Sequence, residues 1–288
     1  MAPLAALAPA KVNLFLHVGP VEADGYHPLA SLVAFADLGD RVTAAPADRL
    51  SLTVQGPFAA GLDGPGDNLI LRALHAFGAA SGLGPPPLAV TLDKRLPVAA
   101  GLGGGSSDAG AALKLARDIL APDLDDAALA GIAAAVGADG PMCLHARTAW
   151  AEGRGDRLDF EPGLPPLPAV LVNPGVASPT GAVYAAYDAG LAATADRPAP
   201  PPARDIGAVL DWLSEQRNDL QAPAVARTPE IGQALAAVAA LPKARLARMS
   251  GSGATVFALF ATPAEAAAAA QLLAKNHPAW WIRPTNLG

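Results

Sequence analysis

A dense glycine cluster lies directly before a segment with the pattern of an α-helix, and it restricts the possible folds more than any other feature. The cluster consists of Pro97, Val98, Ala99, Ala100, Gly101, Leu102, Gly103, Gly104, Gly105, Ser106 and Ser107. Glycine lets a backbone approach a bulky anion closely, and the N–H groups that open a helix point a partial positive charge toward it. The cluster therefore predicts a binding site for a phosphate chain, with a flexible glycine turn as the structural alternative.

The usual nucleotide-binding strings do not occur in this chain. It contains no G-x-x-x-x-G-K-[ST], which excludes the P-loop arrangement, and no G-x-G-x-x-G to support a dinucleotide site. The net charge of -6 and the pI of about 5.3 provide no broad basic face, so duplex nucleic acid and anionic membranes are poor partners. We expect a small-molecule partner whose charge is met locally, and a chain that is a monomer or a weak homodimer.

The length of 288 residues suits two domains. A proline-rich stretch at 162–168 marks the predicted boundary, which gives an N-terminal domain of residues 1–160 and a C-terminal domain of residues 161–288. A second proline-rich segment lies at 195–204. One continuous domain with two long loops is the alternative.

The single cysteine, Cys143, excludes an intramolecular disulfide and a cysteine-based metal cluster, and we interpret it as a small buried residue. The N-terminal residues lack the positive region of a signal peptide. The uncharged run 162–187 contains six prolines, which argues against a membrane-spanning helix. These features predict a soluble cytoplasmic protein.

Alternating apolar residues predict a β-strand at Lys11–Val18, whose first residue shares a face with Asn13. The segment Glu22–Gly25 has the composition of a turn. This turn is expected to present the side chains that follow it directly, Tyr26 and His27.

Further strands and helices are predicted along the rest of the chain. The strands are predicted at 50–54, 88–92 and 255–260, and the helices at 68–80, 109–120, 125–137, 206–215 and 230–240. Pro122 is expected to end the second of these helices, and the third is expected to deliver Asp139 into the following loop. Thr262 and Glu265 have the spacing of a capping box for one more helix.

Three separated segments together resemble the signature motifs of the GHMP kinases, in the same order. They are Pro9–Leu14, Gly101–Ser107 and Met249–Ala254. Other segments resemble one branch of that superfamily, the diphosphocytidyl-methylerythritol kinases, and the match spans nearly the whole chain. These segments are Ala23–His27, Gly137–Asp139 with Pro141, Asn173–Val176 with Pro179 and Thr180, and Asn218–Leu220.

The resemblance implies an α+β, two-domain GHMP kinase fold. Its N-terminal half is similar to ribosomal protein S5 domain 2, its C-terminal half is ferredoxin-like, and the active site lies between them. The implied reaction is ATP-dependent phosphorylation of the 2-hydroxyl of 4-diphosphocytidyl-2-C-methyl-D-erythritol, a step of the non-mevalonate (methylerythritol phosphate) route to isoprenoid precursors. ATP and Mg²⁺ are the implied cofactors.

The resemblance also assigns roles to particular positions. Lys11 and Asp139 match the catalytic pair, and residues 97–107 match the ATP loop. The positions near the cytidine substrate are Asn13, Tyr26, His27, Thr180 and Tyr184, with the two tyrosines expected to stack on cytosine from opposite sides. The metal ligands are unknown, although Ser106 or Ser107 could reach Mg²⁺.

Each of these assignments has an alternative. Read alone, Lys11 is an ordinary strand-end lysine, Asp139 is a cap next to a helix, and the two tyrosines are packing residues. At the level of function, the alternatives are a GHMP kinase for homoserine, mevalonate or a free sugar, and a non-catalytic GHMP-fold sensor. The presence of both Lys11 and Asp139 favours an enzyme, and the Tyr26-His27 pair favours a substrate with a flat base.

Overall fold

The computed structural model describes residues 2–62, 68–121, 123–160, 163–190 and 193–288, which form two compact units made of alternating stretches of chain. The first unit comprises Leu38–Val98 and Gly103–Ala146 with the chain up to Ala10, and the second comprises Lys11–Asp37, Ala99–Leu102 and Arg147–Gly288. The sequence analysis predicts one domain boundary instead, between residues 160 and 161, and residue 161 lies outside the described residues. Those domain limits stay a prediction.

The sheet of the first unit is built on the second half of a long strand, β2 (Leu29–Pro46). β2 pairs antiparallel with β4 (Leu88–Asp93), and β4 pairs parallel with β3 (Ser51–Gln55). β1 (Leu4–Val18) also pairs with β2. The strands predicted at 50–54 and 88–92 are confirmed, whereas the sequence analysis did not predict β2.

Four helices share one apolar core with this sheet in the part of the first unit that the structure describes. They are α1 (Leu69–Ala80), α2 (Gly104–Leu120), α3 (Asp126–Val136) and α4 (Gly140–His145). The core includes Leu74 and Phe77 of α1, Leu88 of β4 and Leu113 of α2. The helices predicted at 68–80 and 125–137 are confirmed, and the structure shows that the side chains of Asn68 and Asp125 cap them.

The predicted N-terminal end of α2 was wrong. α2 begins at Gly104 and not at Ala109, so the end of the glycine cluster forms the first helical turn. Glycine has a low helix propensity, but tertiary packing overrides it here because the residues from Ser107 to Ala112 are buried in the unit. Pro122, the predicted stop of this helix, lies outside the described residues.

The sheet of the second unit has the strand order β10-β7-β9-β8, and all these neighbours are antiparallel. The strands are β7 (Leu167–Asn173), β8 (Leu246–Met249), β9 (Val256–Leu259) and β10 (Trp281–Leu287). A hairpin of β5 (Ala149–Gly153) and β6 (Arg157–Phe160) pairs through β5 with the first half of β2. The strand predicted at 255–260 is confirmed, whereas β7 was missed because prolines surround it.

The helices of the second unit are α5 (Thr180–Asp188), α6 (Ile206–Ser214), α7 (Gln221–Arg227), α8 (Pro229–Ala239) and α9 (Pro263–Asn276). α8 and α9 pack on the sheet, with Ile231, Val238 and Leu273 in its core. The helices predicted at 206–215 and 230–240 are confirmed. The capping box of Thr262 and Glu265 is present at the start of α9.

The strand predicted at Lys11–Val18 is confirmed as the second part of β1, but both of its faces are buried. Lys11 and Asn13 are therefore enclosed polar residues in the structure, not residues of a solvated face. Cys143 is buried, as predicted. Across the described ranges, no helix has both the length and the apolar character needed to cross a membrane.

Candidate active site

Three distant segments of the sequence meet around the glycine cluster in the second unit. The backbone N–H of Lys11 donates a hydrogen bond to the Leu102 carbonyl at 2.8 Å, and Ser250 Oγ donates to the Gly101 carbonyl at 2.9 Å. The N–H of Asn13 donates to the same Ser250 Oγ at 3.2 Å. The three segments that resemble signature motifs are thus joined directly by hydrogen bonds.

Gly101 is the position of this cluster where glycine is required. Its φ is +74°, and a Cβ atom there would lie 2.4 Å from the Ser250 carbonyl oxygen and 2.8 Å from the Gly253 carbonyl oxygen. Both neighbours are backbone atoms, which cannot rotate away as a side chain can. The glycine therefore serves the close packing of the loop against the turn at 250–253.

We expect Gly101→Ala to lower the free energy of unfolding by about 2 to 5 kcal/mol, because a left-handed conformation and a backbone clash add together. Gly82→Ala is the matched control, since Gly82 has a φ of +72° and no atom within 4 Å of the added Cβ. The control should show only the conformational cost of about 1 to 2 kcal/mol. Urea unfolding measures both values, and equal losses would show that the contact with the 250–253 turn is unimportant.

The remainder of the cluster opens α2 in the first unit. Gly103 is the N-cap at φ +61°, and within the described structure no side chain caps this helix. Gly104, Gly105 and Ser106 follow as its first residues, and the Ser107 N–H donates to the Gly103 carbonyl at 2.9 Å. The first turn of α2 therefore has backbone N–H groups that can donate hydrogen bonds to an anion.

A buried ionic cluster lies next to the start of α2. Lys94 Nζ donates to Asp40 Oδ2 at 2.5 Å and to Asp108 Oδ2 at 2.7 Å, and all three residues are at most 3% exposed. A Cβ atom on Gly104 would lie 3.0 Å from Lys94 Nζ. The other oxygen of Asp40 accepts from the N–H groups of Arg95 and Leu96. This cluster ties β2, the end of β4 and α2 together.

The charges of this cluster are not balanced, because one ammonium group faces two carboxylates. Burial raises the pKa of Asp108 to about 7, against the opposing effect of Lys94 and with a further increase from Asp40. Burial alone would lower the pKa of Lys94, but the two carboxylates outweigh it and raise that pKa. Since Asp108 binds its proton more tightly in the folded state, this contribution to stability is lost as the pH rises from about 4 to about 7.

Two of the predicted substrate residues lie together in the second unit. The rings of His27 and Tyr184 are 4.8 Å apart between centroids, at an interplanar angle of 43°. His27 Nε2 also hydrogen-bonds Asp188 Oδ1 at 2.6 Å. Tyr26 is 55% exposed, and the Arg154 guanidinium lies over its ring at 4.3 Å.

The other two predicted substrate residues contact the motifs near the glycine cluster. Thr180 Oγ1 is 2.8 Å from Ser252 Oγ, in the turn that packs on Gly101. Asn13 Nδ2 donates to Ser31 Oγ at 2.8 Å. The structure therefore places all five predicted substrate residues in the second unit, and their binding role stays a prediction.

The predicted catalytic pair is divided between the two units. Lys11 is buried in the second unit, and Asp139 belongs to the first unit, directly before α4. In the described structure the Asp139 side chain makes no capping hydrogen bond to α4, which counts against its interpretation as a helix cap. The pairing of these two residues stays a prediction.

The sequence analysis missed several residues that support this site. Lys94 and Asp40 have no local signal, because they are 54 positions apart and meet only in the folded first unit. Arg154 likewise reaches Tyr26 from a distant hairpin. Asp188 could have been found, since it follows Tyr184 by four positions in α5 and therefore lies on the same helical face.

Comparisons with known proteins identify the superfamily and the fold of this chain. The family models "GHMP kinases N terminal domain" and "GHMP kinases C terminal" match residues 68–147 and 202–279. The crystal structure of a homoserine kinase from Cytophaga hutchinsonii has a TM-score of 0.69 at 18% identity, over 99% of this chain and 95% of that one. The predicted fold class is confirmed: the chain has the α+β, two-domain fold of the GHMP kinases.

Two proteins with higher sequence identity show to which branch of the GHMP kinases this chain belongs. A 4-diphosphocytidyl-2-C-methyl-D-erythritol kinase of Caulobacter vibrioides (strain NA1000 / CB15N) is 54% identical over 289 residues, with 99% of each chain covered. The crystal structure of a 4-(cytidine 5'-diphospho)-2C-methyl-D-erythritol kinase has 36% identity and a TM-score of 0.80, again over 99% of each chain. The chain belongs to the 4-diphosphocytidyl-2-C-methyl-D-erythritol kinase family.

Proposed function

We propose that this chain transfers the γ-phosphoryl group of ATP to the 2-hydroxyl of 4-diphosphocytidyl-2-C-methyl-D-erythritol, within the methylerythritol phosphate route. The observation that carries this proposal is the joining of the three signature segments by hydrogen bonds from Lys11, Asn13 and Ser250. Relatives of that name match the full length of the chain. A soluble cytoplasmic location and a monomer or weak homodimer stay predictions.

The glycine cluster is suited to hold the phosphates of ATP. Backbone N–H groups at the start of α2 can bind an anion without a basic surface. This agrees with the net charge of -6, which leaves charge compensation to local groups. Residues 97–107 are therefore proposed as the ATP loop.

The residues around α2 are compatible with Mg²⁺. Ser107 Oγ is buried without a hydrogen-bond partner among the described residues, and Ser106 lies beside it in the first turn. Within the described ranges there is no group of three or more His, Cys, Asp or Glu side chains that could hold a metal, which suits an ion bound largely through phosphates and water. When bound, Mg²⁺ would neutralise charge on the β- and γ-phosphates.

Phosphoryl transfer has a loose transition state, so catalysis consists mainly of positioning and charge stabilisation. Asp139 is proposed to orient the accepting hydroxyl and to take its proton as the bond to phosphorus forms. Lys11 is proposed to stabilise the Asp139 carboxylate and the transferred charge.

The test is ADP release with Mg-ATP and each of four acceptors: 4-diphosphocytidyl-2-C-methyl-D-erythritol, mevalonate, homoserine and galactose. We expect turnover with the cytidine compound alone. Turnover with another acceptor would retain the GHMP kinase class and reject this substrate. Bound ATP without turnover of any acceptor would favour the non-catalytic sensor.

A further inference from the structure

The contact between His27 and Asp188 fixes the proton position on the imidazole ring. A carboxylate only accepts hydrogen bonds, so the Nε2 atom, 2.6 Å from Asp188 Oδ1, carries a hydrogen. The His27 side chain is 7% exposed, and that of Asp188 is 37% exposed. Packing against Tyr184 and Tyr187, at centroid distances of 4.8 and 5.9 Å, holds the ring in place.

The second ring nitrogen of His27 is available to a ligand. No described residue forms a hydrogen bond with Nδ1. Nδ1 is not among the enclosed polar side-chain atoms that lack a partner in the described structure. Those atoms belong to His17, Ser107, Asp108, Thr148 and Trp281. In the neutral ring with a hydrogen on Nε2, Nδ1 is a hydrogen-bond acceptor.

An acceptor at this position distinguishes the two common pyrimidines. Cytosine carries an exocyclic amino group, which donates hydrogen bonds, where uracil carries a carbonyl oxygen. Nδ1 can accept a hydrogen bond from the amino group, whereas it repels the carbonyl oxygen because both atoms are acceptors. The nearby aromatic ring of Tyr184 offers stacking to either base and so cannot select between them.

We propose that Asp188 is a positioning residue that makes the enzyme select cytidine over uridine, by holding His27 in the form whose Nδ1 accepts a hydrogen bond. This inference rests on the proposed function, because it concerns the base of the proposed substrate. Asp188 acts through His27. Its position four residues after Tyr184 on α5 places the base platform and the orienting carboxylate on one helical face.

The kinetic test compares the cytidine substrate with its uridine analogue. In Asp188→Ala, we expect KM for the cytidine substrate to rise about tenfold with kcat unchanged, because the lost hydrogen bond is remote from the transferred phosphoryl group. The preference in kcat/KM for cytidine over uridine should fall by the same factor, about tenfold. Asp188→Glu should restore most of the preference, since it returns a carboxylate to the ring.

The matched control is Asp211→Ala, which removes an exposed carboxylate paired with Arg245 in the same unit. It should leave the preference unchanged. If wild type turns over the cytidine substrate and Asp188→Ala keeps the full preference, this inference is overturned while the proposed function stands. If wild type does not turn over the cytidine substrate, both are overturned.

A second measurement does not depend on any variant being folded. Nitrogen-15 NMR of the wild-type protein at pH 8 should show the His27 ring with a hydrogen on Nε2 and none on Nδ1. A hydrogen on Nδ1 would make that atom a donor and overturn the inference directly. The same spectrum of Asp188→Ala should show a mixture of the two neutral forms.

Discussion

Replacement of Asp139 by alanine is expected to lower kcat about 10²- to 10⁴-fold and to leave ATP affinity nearly unchanged. The proposed role of Asp139 is to orient the acceptor hydroxyl and to take its proton, and neither action contributes to holding the nucleotide. The Asp139 side chain does not cap α4 within the described structure, so its removal should cost little helix stability. The measurements are coupled ADP release with the cytidine substrate and isothermal titration with ATP.

Asp118→Ala is a suitable control, because the Asp118 side chain is half exposed in the same unit and pairs with Arg117 on the surface. It should retain wild-type turnover. Loss of ATP binding in Asp139→Ala would assign this residue to the architecture of the site and not to catalysis. Full turnover with intact binding would remove Asp139 from the mechanism altogether.

A second large effect is expected on stability. Lys94→Met should lower the free energy of unfolding by about 3 to 5 kcal/mol, because it leaves Asp40 and Asp108 buried without their shared cation. The damage lies next to Gly104, so KM for ATP should rise in the protein that remains folded. Urea unfolding gives the first value, and steady-state kinetics gives the second.

The control for Lys94→Met is a substitution of the neighbouring cationic residue, Arg95. Arg95→Met also breaks an ion pair, with Asp93, but the Arg95 side chain is 63% exposed and the loss should be small. Adding Asp40→Asn and Asp108→Asn to Lys94→Met should recover part of the lost stability, since both carboxylates are then neutral. Equal losses for Lys94→Met and Arg95→Met would contradict the importance of the buried cluster.

Local patterns in the sequence predicted much of the fold. The helix near residue 68 was predicted from its apolar spacing, and those near Asp125 and Thr262 from residues that open helices. In the structure the side chains of Asn68, Asp125 and Thr262 bond to first-turn amides, which is a contact between close neighbours in sequence. The strand from Lys11 to Val18 was predicted from its alternation. Its burial on both faces was not, because that depends on elements far along the chain.

In the candidate site, too, local motifs were predicted from the sequence and contacts between distant residues were not. The glycine cluster and the Tyr26-His27 turn were found from the sequence and from the resemblance to GHMP kinases. The contacts of Lys94 with Asp40 and Asp108, and of Arg154 with Tyr26, join residues that no short motif connects. The start of α2 at Gly104 was missed because propensity argues against helical glycine, and packing decides otherwise.

The hydrogen bonds that hold the glycine cluster have a consequence for the order of synthesis. Ser250 bonds to Gly101 across 149 positions, and Asn13 bonds to Ser250 across 237. At about 5 to 20 residues per second, a ribosome needs about 7 to 30 s after making Gly101 to produce the serine that holds it. The growing chain therefore carries Gly101 without its Ser250 contact until nearly all of the protein has been made, so this part of the second unit can reach its final packing only late in synthesis.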